Sequence, residues 1–131
     1  EDINVKRQKN LTKVFLKNKT SKYPLFSSIE FNIHGSCNRR CAFCPRVDEE
    51  LYPNLNEELS IEFFEKILNE LKNNKYKGRL CFSGFCEPFL HSNLVGLVKL
   101  FKKYLPNNRL EIVTNGDYLD ELIARKLFDN G

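Results

Sequence analysis

Segments with strand periodicity alternate with segments of helix periodicity along most of this 131-residue chain. Apolar residues at every second position predict a strand at Ile29–Ile33. Shorter strands are predicted at Arg79–Phe82 and Leu110–Thr114, with amphipathic helices between and after them. The order βαβαβα predicts an α/β domain with a parallel sheet, because helical crossovers return each strand in the same direction.

The predicted helices are bounded by residues that favour helix ends. Ser60 and Asn93 precede two amphipathic segments and suit the N-cap, and Asp117 is predicted to cap the third helix. Pro106 ends the second helix, and Gly131 suits the end of the third. We therefore expect three βα units in the chain after its first 26 residues.

Residues 1–26 form a basic arm that differs in charge from the rest. The formal net charge is +4, and the arm carries seven basic and two acidic side chains, so residues 27–131 are close to neutral. Such an arm can bind nucleic acid, but few aromatic side chains stand among its charges to stack on bases, so a solvated lead-in is favoured. No apolar run approaches the ~18 residues of a membrane span. The chain begins at Glu1 and has no Met, so we expect a fragment of a longer protein.

Three of the five cysteines crowd into the loop after the first predicted strand, as Cys37, Cys41 and Cys44. The total is odd, neighbours this close cannot all pair, and no secretory signal is visible. These observations favour a metal site in a reducing cytoplasm over a disulfide framework.

Two kinds of metal site fit this cysteine loop. Thiolates spaced by four and three residues can hold three corners of an iron–sulfur cluster, and without a nearby fourth cysteine one iron would be open. Arg39 and Arg40 would favour thiolates over thiols. Zinc is the alternative, because Cys41-x-x-Cys44 is a common zinc half-site. The residues that could complete a zinc site are His34, Cys37, Cys81, Cys86 and His91, although both histidines are expected to form local hydrogen bonds instead.

The second and third predicted strands also end in unusual loops, Ser83–Pro88 and Thr114–Gly116. Ligands of parallel α/β folds bind at the C-terminal ends of strands, so all three loops are expected to meet at one rim. Gly84 permits close approach of backbone to a ligand, and the carboxylate of Glu87 suits an ammonium group. Alternatively, Glu87 is a solvated loop acid or lies near a helix N-terminus. Thr114–Gly116 alone is typical of a simple turn.

Together these motifs resemble the radical S-adenosylmethionine (radical SAM) superfamily over about residues 27–131. Cys37-x-x-x-Cys41-x-Phe43-Cys44 resembles its cysteine signature. Phe82–His91 resembles its Gly-Gly-Glu-Pro motif, and Val113–Gly116 resembles the end of its third strand. The resemblance implies that residues 27–131 are the first three βα units, or half, of a partial TIM-type (βα)6 barrel.

The resemblance also implies the cofactors. Cys37, Cys41 and Cys44 would bind a [4Fe-4S] cluster whose open iron is chelated by S-adenosylmethionine. An electron donor such as flavodoxin or ferredoxin would reduce the cluster. Reductive cleavage would give a 5′-deoxyadenosyl radical that abstracts hydrogen from an unidentified substrate, for which peptides are one suggested class. The residues expected to contact S-adenosylmethionine are Phe43, Gly84, Phe85, Cys86, Glu87, Pro88, Thr114 and Asn115.

Two features depart from the family pattern. Cys86 occupies a position that is usually Gly, and we predict that it is not a cluster ligand. Half a barrel would also leave the third strand as an exposed edge, which natural proteins usually cover. A noncatalytic iron–sulfur or zinc-binding module is therefore the alternative to a radical SAM enzyme.

Overall fold

The computed structural model describes residues 2–17 and 26–130. Its helices and strands, in chain order, are α1 (Ile3–Lys17), β1 (Ser28–Phe31), α2 (Ile61–Asn73), β2 (Arg79–Phe82), α3 (Leu94–Tyr104), β3 (Leu110–Ile112) and α4 (Glu121–Asn130). Two short 3-10 helices, Pro45–Val47 and Pro88–Leu90, lie in the loops after β1 and β2. Gly131, which we expected to suit the end of the last helix, lies outside the described residues.

The three strands form one parallel sheet in the order β1-β2-β3. Leu80 of β2 pairs with Ile29 on one side and Leu110 on the other. The predicted parallel βαβαβα order is therefore confirmed. Because the strands are parallel and neighbour one another in sequence order, their C-terminal ends lie side by side at one edge of the sheet. The loops that follow therefore also lie side by side.

Two strands end earlier than predicted, because their last residues form hydrogen bonds outside the sheet. After Phe31 the chain pairs with the segment before α2 and no longer with β2: Leu59 N donates to Ile33 O at 3.0 Å. After Ile112, Val113 N still donates to Phe82 O, but Thr114 turns its hydroxyl toward the β2 loop. Both deviations begin where the chain enters the loops of the rim.

The hydrophobic core lies where α2 and α3 cover the sheet. Phe64 of α2 is fully buried, and its ring packs edge-on against Phe31 and Phe82 at centroid distances of 5.5 and 5.6 Å. The predicted apolar face of α2 is thus confirmed at its centre. The buried core residues are Ile33, Phe64, Leu68, Tyr76, Leu80, Phe82, Leu94, Leu97, Val98, Phe101 and Leu105.

Two helix caps form as predicted and one does not. Ser60 accepts a hydrogen bond from Phe63 N, and Asn93 accepts one from Gly96 N. The prediction that Asp117 caps the last helix is wrong: α4 begins four residues later, and Asp120 accepts from Ile123 N at 2.7 Å. Asp117 is instead paired with an arginine guanidinium, which provides two charge-assisted hydrogen bonds in place of one backbone donor.

The basic arm, which we predicted to be a solvated and partly ordered lead-in, includes the 15-residue helix α1. The side chains described in this helix are all exposed. Residues 18–25 of the arm lie outside the described part of the chain. No helix in the described ranges has both the length and the apolar character needed to cross a membrane.

Replacing Phe64 with Ala should destabilise the domain by about 3–5 kcal/mol, because it removes a buried aromatic ring and leaves a cavity. Urea unfolding followed by circular dichroism measures this change. Phe63→Ala is the matched control on the same helix, since Phe63 is 57% exposed. Equal destabilisation by the two variants would contradict the described orientation of α2.

Candidate functional site

The loops that follow β1, β2 and β3 meet at one rim, as predicted. Glu87 N, in the β2 loop, donates to Ser36 O of the β1 loop at 2.9 Å. Asn115 N, in the β3 loop, donates to Glu87 Oε2 at 2.9 Å. Direct hydrogen bonds therefore connect the middle loop to both of its neighbours.

Glu87 lies at the centre of this rim and is only 1% exposed. Its Oε1 accepts from Thr114 Oγ1 at 2.7 Å and from Phe89 N at 3.0 Å, while Oε2 accepts from Asn115 N. The alternative of a solvated loop acid is therefore wrong, whereas a position near a helix N-terminus is confirmed, because Glu87 caps the 3-10 helix Pro88–Leu90. A carboxylate can accept about four hydrogen bonds, so one acceptor position remains after these three. Contact of Glu87 with a ligand ammonium stays a prediction.

The backbone of the β2 loop can be formed only by glycine at position 84. Gly84 has a φ of +98°, and a Cβ there would lie 2.4 Å from the side-chain oxygen of Asn32. The same Asn32 oxygen accepts from Phe85 N at 2.8 Å. Asn32, at the end of β1, therefore holds the β2 loop close to the cysteine loop.

Cys86 is part of the β2 loop, and it is buried, with an exposed fraction of 8%. Its Sγ is 3.5 Å from Ser83 O, and burial raises the pKa of its thiol. The side chain that replaces the family's glycine is therefore directed into the protein. Pro88 is also buried and begins the 3-10 helix, whereas Phe85 is 44% exposed.

Cys37, Cys41 and Cys44 are free, half-buried thiols of one loop. Cys44 N donates to Cys41 O at 2.9 Å, which closes a tight turn between the last two cysteines. Cys37 Sγ lies 3.5 Å from Arg39 N and 3.9 Å from the side-chain nitrogen of Asn115. The first cysteine therefore adjoins the β3 loop. Phe43, between the second and third cysteines, is 92% exposed at the rim.

The donor set of this loop fits an iron–sulfur cluster. Within the described ranges, no three His, Cys, Asp or Glu side chains gather as they would around one metal ion. A cluster binds each thiolate through a different iron, so three separate thiols on one loop can serve it.

The other residues considered for zinc have different contacts. His34 Nδ1 accepts from Ser36 N at 2.9 Å, and His91 Nδ1 accepts from Asn93 N at 3.0 Å. The prediction that both histidines form local hydrogen bonds is confirmed. Cys81 is buried in β2, within the sheet.

The two arginines between Cys37 and Cys41 both have carboxylate partners. Arg39 Nε donates to Asp117 Oδ2 at 2.8 Å, and Arg40 pairs with Glu49. The hydrogen bond and the charge of Asp117 raise the pKa of Arg39. These carboxylates offset part of the positive charge that we expected the arginines to supply to the thiols.

A polar chain that was not predicted from the sequence joins the cysteine loop to the β3 loop. Asn115 Nδ2 donates to Asn38 Oδ1 at 2.8 Å, and Asn38 Nδ2 donates to Asp117 Oδ2 at 2.7 Å. With the ion pair from Arg39, these bonds make Asp117 a link between the first and third loops. Its position directly after Asn115-Gly116 is the only local feature that singles out Asp117, and the N-cap rule predicts a different role for it.

Arg46 was also missed, although it lies two residues after Cys44. Arg46 is 5% exposed, and its guanidinium donates to carbonyl oxygens on both the β1 and β2 loops. Nothing in the local pattern of apolar residues indicated that this arginine would be buried.

Replacing Glu87 with Gln should lower the free energy of unfolding by about 1–3 kcal/mol. The amide NH2 of Gln is a donor, so at least one of the three groups that donate to Glu87 would lose its acceptor. Urea unfolding measures the loss. Faster hydrogen exchange at Asn115 N would show that the β3 loop is released. Glu50→Gln, at an exposed loop position, is the control and should change neither quantity. An unchanged exchange rate at Asn115 N in the Glu87 variant would contradict this account of the rim.

The link between Asp117 and Arg39 should depend on pH. The hydrogen bond from Arg39 lowers the pKa of Asp117, so the link contributes stability above the ordinary carboxyl pKa of about 3.9. That contribution is lost as pH falls through the lowered value. Carbon-13 NMR of the Asp117 carboxyl should show a midpoint below the ordinary one, which returns toward it in Arg39→Gln. Equal midpoints in the two proteins would argue against the link.

Comparison with protein families identifies the domain. The family model described as the radical SAM superfamily matches residues 31–131. An S-adenosyl-L-methionine-dependent 2-deoxy-scyllo-inosamine dehydrogenase from Niallia circulans is 32% identical over 107 residues, which are 82% of this chain and 42% of that enzyme. A GTP 3',8-cyclase from Nautilia profundicola is 35% identical over 104 residues, which are 79% of this chain and 31% of that enzyme.

Solved structures support the same assignment. The crystal structure of BtrN in complex with AdoMet and 2-DOIA matches with a TM-score of 0.75 and 32% identity, over 82% of this chain and 43% of BtrN. BtrN in an open conformation matches with a TM-score of 0.71 at the same identity and coverage of this chain, and over 47% of that chain. The chain thus spans less than half the length of these relatives, and its open three-stranded sheet is consistent with part of a TIM-type barrel.

The family match covers the cysteine loop, the Glu87 loop and the Asn115 loop together. Radical SAM proteins use a [4Fe-4S] cluster and S-adenosylmethionine, so the two predicted cofactors are those of the matched family. The chain belongs to the radical SAM superfamily.

Proposed function

We propose that this chain is the cluster-binding and cofactor-binding portion of a radical SAM enzyme. Cys37, Cys41 and Cys44 each bind one iron of a [4Fe-4S] cluster, and the fourth iron is left for S-adenosylmethionine. The main support for this proposal is that the cysteine loop meets the β2 and β3 loops at one rim, where Cys37 Sγ is 3.9 Å from Asn115 Nδ2.

The β2 loop is proposed to bind the amino group of S-adenosylmethionine through its backbone between Gly84 and Pro88. Glu87 orients that backbone, because its carboxylate is fixed by three donors from the β2 and β3 loops. Glu87 also has one acceptor position left for an ammonium hydrogen. The exposed Phe43 lies on the same rim, and its backbone is the proposed contact for adenine.

When bound and reduced by one electron, the cofactors supply cleavage of the C5′–S bond to methionine and a 5′-deoxyadenosyl radical that takes a hydrogen atom from substrate. The protein's part is to hold the thiolates, place the amino group and exclude competing reactions. A flavodoxin or ferredoxin is the proposed electron donor, and a cytoplasmic location is proposed because it keeps the thiols reduced. The substrate remains open, with peptides as one class to test.

The direct test is anaerobic reconstitution with iron and sulfide, reduction with dithionite, and measurement of 5′-deoxyadenosine after S-adenosylmethionine is added. Formation of 5′-deoxyadenosine supports the proposal. Because the chain spans less than half of its relatives, cluster content and S-adenosylmethionine binding are measured in the same samples. Stoichiometric zinc without iron–sulfur absorbance would contradict the proposal and favour a noncatalytic zinc module.

Cys37→Ser, Cys41→Ser and Cys44→Ser should each remove most of the reconstituted iron and the iron–sulfur absorbance, since each substitution removes one iron ligand. Cys86→Ser should keep the absorbance, because the side chain of Cys86 is buried and directed into the protein. Cys81→Ala, within β2, is the control for loss of a thiol away from the rim. Loss of the cluster in the Cys86 variant, with normal folding by circular dichroism, would mean that the ligand set is wrong.

A further inference from the structure

Arg46 is a buried cation, and its four hydrogen bonds all go to neutral acceptors. Nη2 donates to Gly35 O at 2.7 Å, and Nη1 donates to Asn54 Oδ1 at 2.8 Å and Pro53 O at 3.2 Å. Nε donates to Phe85 O. The guanidinium is thus held in one orientation by acceptors from three segments of the chain.

The positive charge of Arg46 has no carboxylate partner within 4.0 Å among the residues that the structure describes. Its guanidinium carbon lies 4.9 Å from the centre of the Tyr52 ring, a cation–π distance. Burying a charge without a carboxylate in direct contact is costly, and neutral hydrogen bonds recover only part of that cost. An anionic group bound nearby would complete the compensation.

The contacts of Arg46 converge on the thiol loop at both ends. Arg46 follows Cys44 by two residues, so its position constrains the third cysteine. At the other end, Asn54 accepts from Cys37 N at 3.1 Å and donates to Cys37 O at 3.2 Å. The Arg46–Asn54 hydrogen bond therefore relates the backbone of the first cysteine to that of the third.

Arg46 also reaches the proposed cofactor loop through Phe85 O. Phe85 lies between Gly84 and Glu87, in the segment whose backbone is proposed to meet the amino group. Phe85 N is held as well, because it donates to Asn32 Oδ1 at 2.8 Å. Both peptide groups of Phe85 are therefore fixed, one by Arg46 and one by Asn32, directly after β1.

We propose that Arg46 is a positioning residue that couples the cluster site to the S-adenosylmethionine amino site. It sets the separation of Cys37 and Cys44, orients Phe85 O, and carries its positive charge two residues after the third cysteine of the proposed cluster site. This inference rests on the proposed function, because both groups that it relates belong to that site.

The charge and the fork geometry of Arg46 can be tested separately. Arg46→Gln removes the charge, whereas Arg46→Lys keeps it but cannot reach four acceptors in fixed directions. Arg125→Gln, an exposed arginine of α4 paired with Glu121, is the control for loss of one positive charge. Each reconstituted protein is assayed for iron content, cluster reduction potential by spin-resonance titration, and S-adenosylmethionine affinity by calorimetry.

In Arg46→Gln, the reduction potential should become more negative, because the reduced cluster carries one more negative charge and loses a nearby cation. S-adenosylmethionine affinity should fall at least about tenfold, the equivalent of one lost hydrogen bond of about 1.4 kcal/mol. Arg46→Lys should keep the potential near the wild-type value and still lose affinity. Arg125→Gln should change neither quantity.

Wild-type potential and affinity in Arg46→Gln would overturn the inference, as would an equal shift of potential in Arg125→Gln. If Arg46→Gln fails to fold, Arg46→Lys decides, and full wild-type affinity in that variant would overturn the inference. A wild-type chain that takes up no cluster would instead overturn the proposed function, so the two failures are distinguishable.

Discussion

The buried carboxylate of Glu87 is the interaction on which the rim of this domain depends. Three donors from two loops converge on its oxygens, and the backbone nitrogen of the same residue binds the cysteine loop. A carboxylate at 1% exposure requires such donors, since an unpaired buried charge would be strongly destabilising. Because the donors come from consecutive strand ends, satisfying Glu87 also brings the three loops together.

Two further contacts then fix the cysteine loop against that centre. Asp117 ties its middle to the β3 loop through Asn38 and Arg39, and Arg46 ties its end to the β2 loop. The first contact is exposed and worth little in isolation. The Arg46 contact is buried and comprises four hydrogen bonds, so it restricts the cysteine loop more strongly. The thiols are therefore held on a frame of hydrogen bonds made by the chain's own loops.

Local sequence patterns were sufficient for the order of the three βα units, although not for α1, and were insufficient for the contacts between loops. Period-two and helical periodicity predicted the parallel sheet, and the capping chemistry of Ser60 and Asn93 predicted two helix starts. Asp117 satisfied the same capping rule, yet Arg39, a residue 78 positions away, is its partner. Arg46 was missed for a related reason, because its burial depends on carbonyl groups of distant loops. Such contacts follow from tertiary packing, which no local window contains.

We propose that three thiolates of the cysteine loop hold a cluster whose open iron faces the β2 loop. Electron–nuclear double resonance tests this arrangement on the reduced, reconstituted chain, with S-adenosylmethionine labelled with nitrogen-15 at the amino group. We expect a nitrogen-15 coupling to the cluster that is absent without the cofactor and is lost in Cys37→Ser. A cluster signal that is unchanged by the labelled cofactor, or that persists in the Cys37 variant, would contradict it.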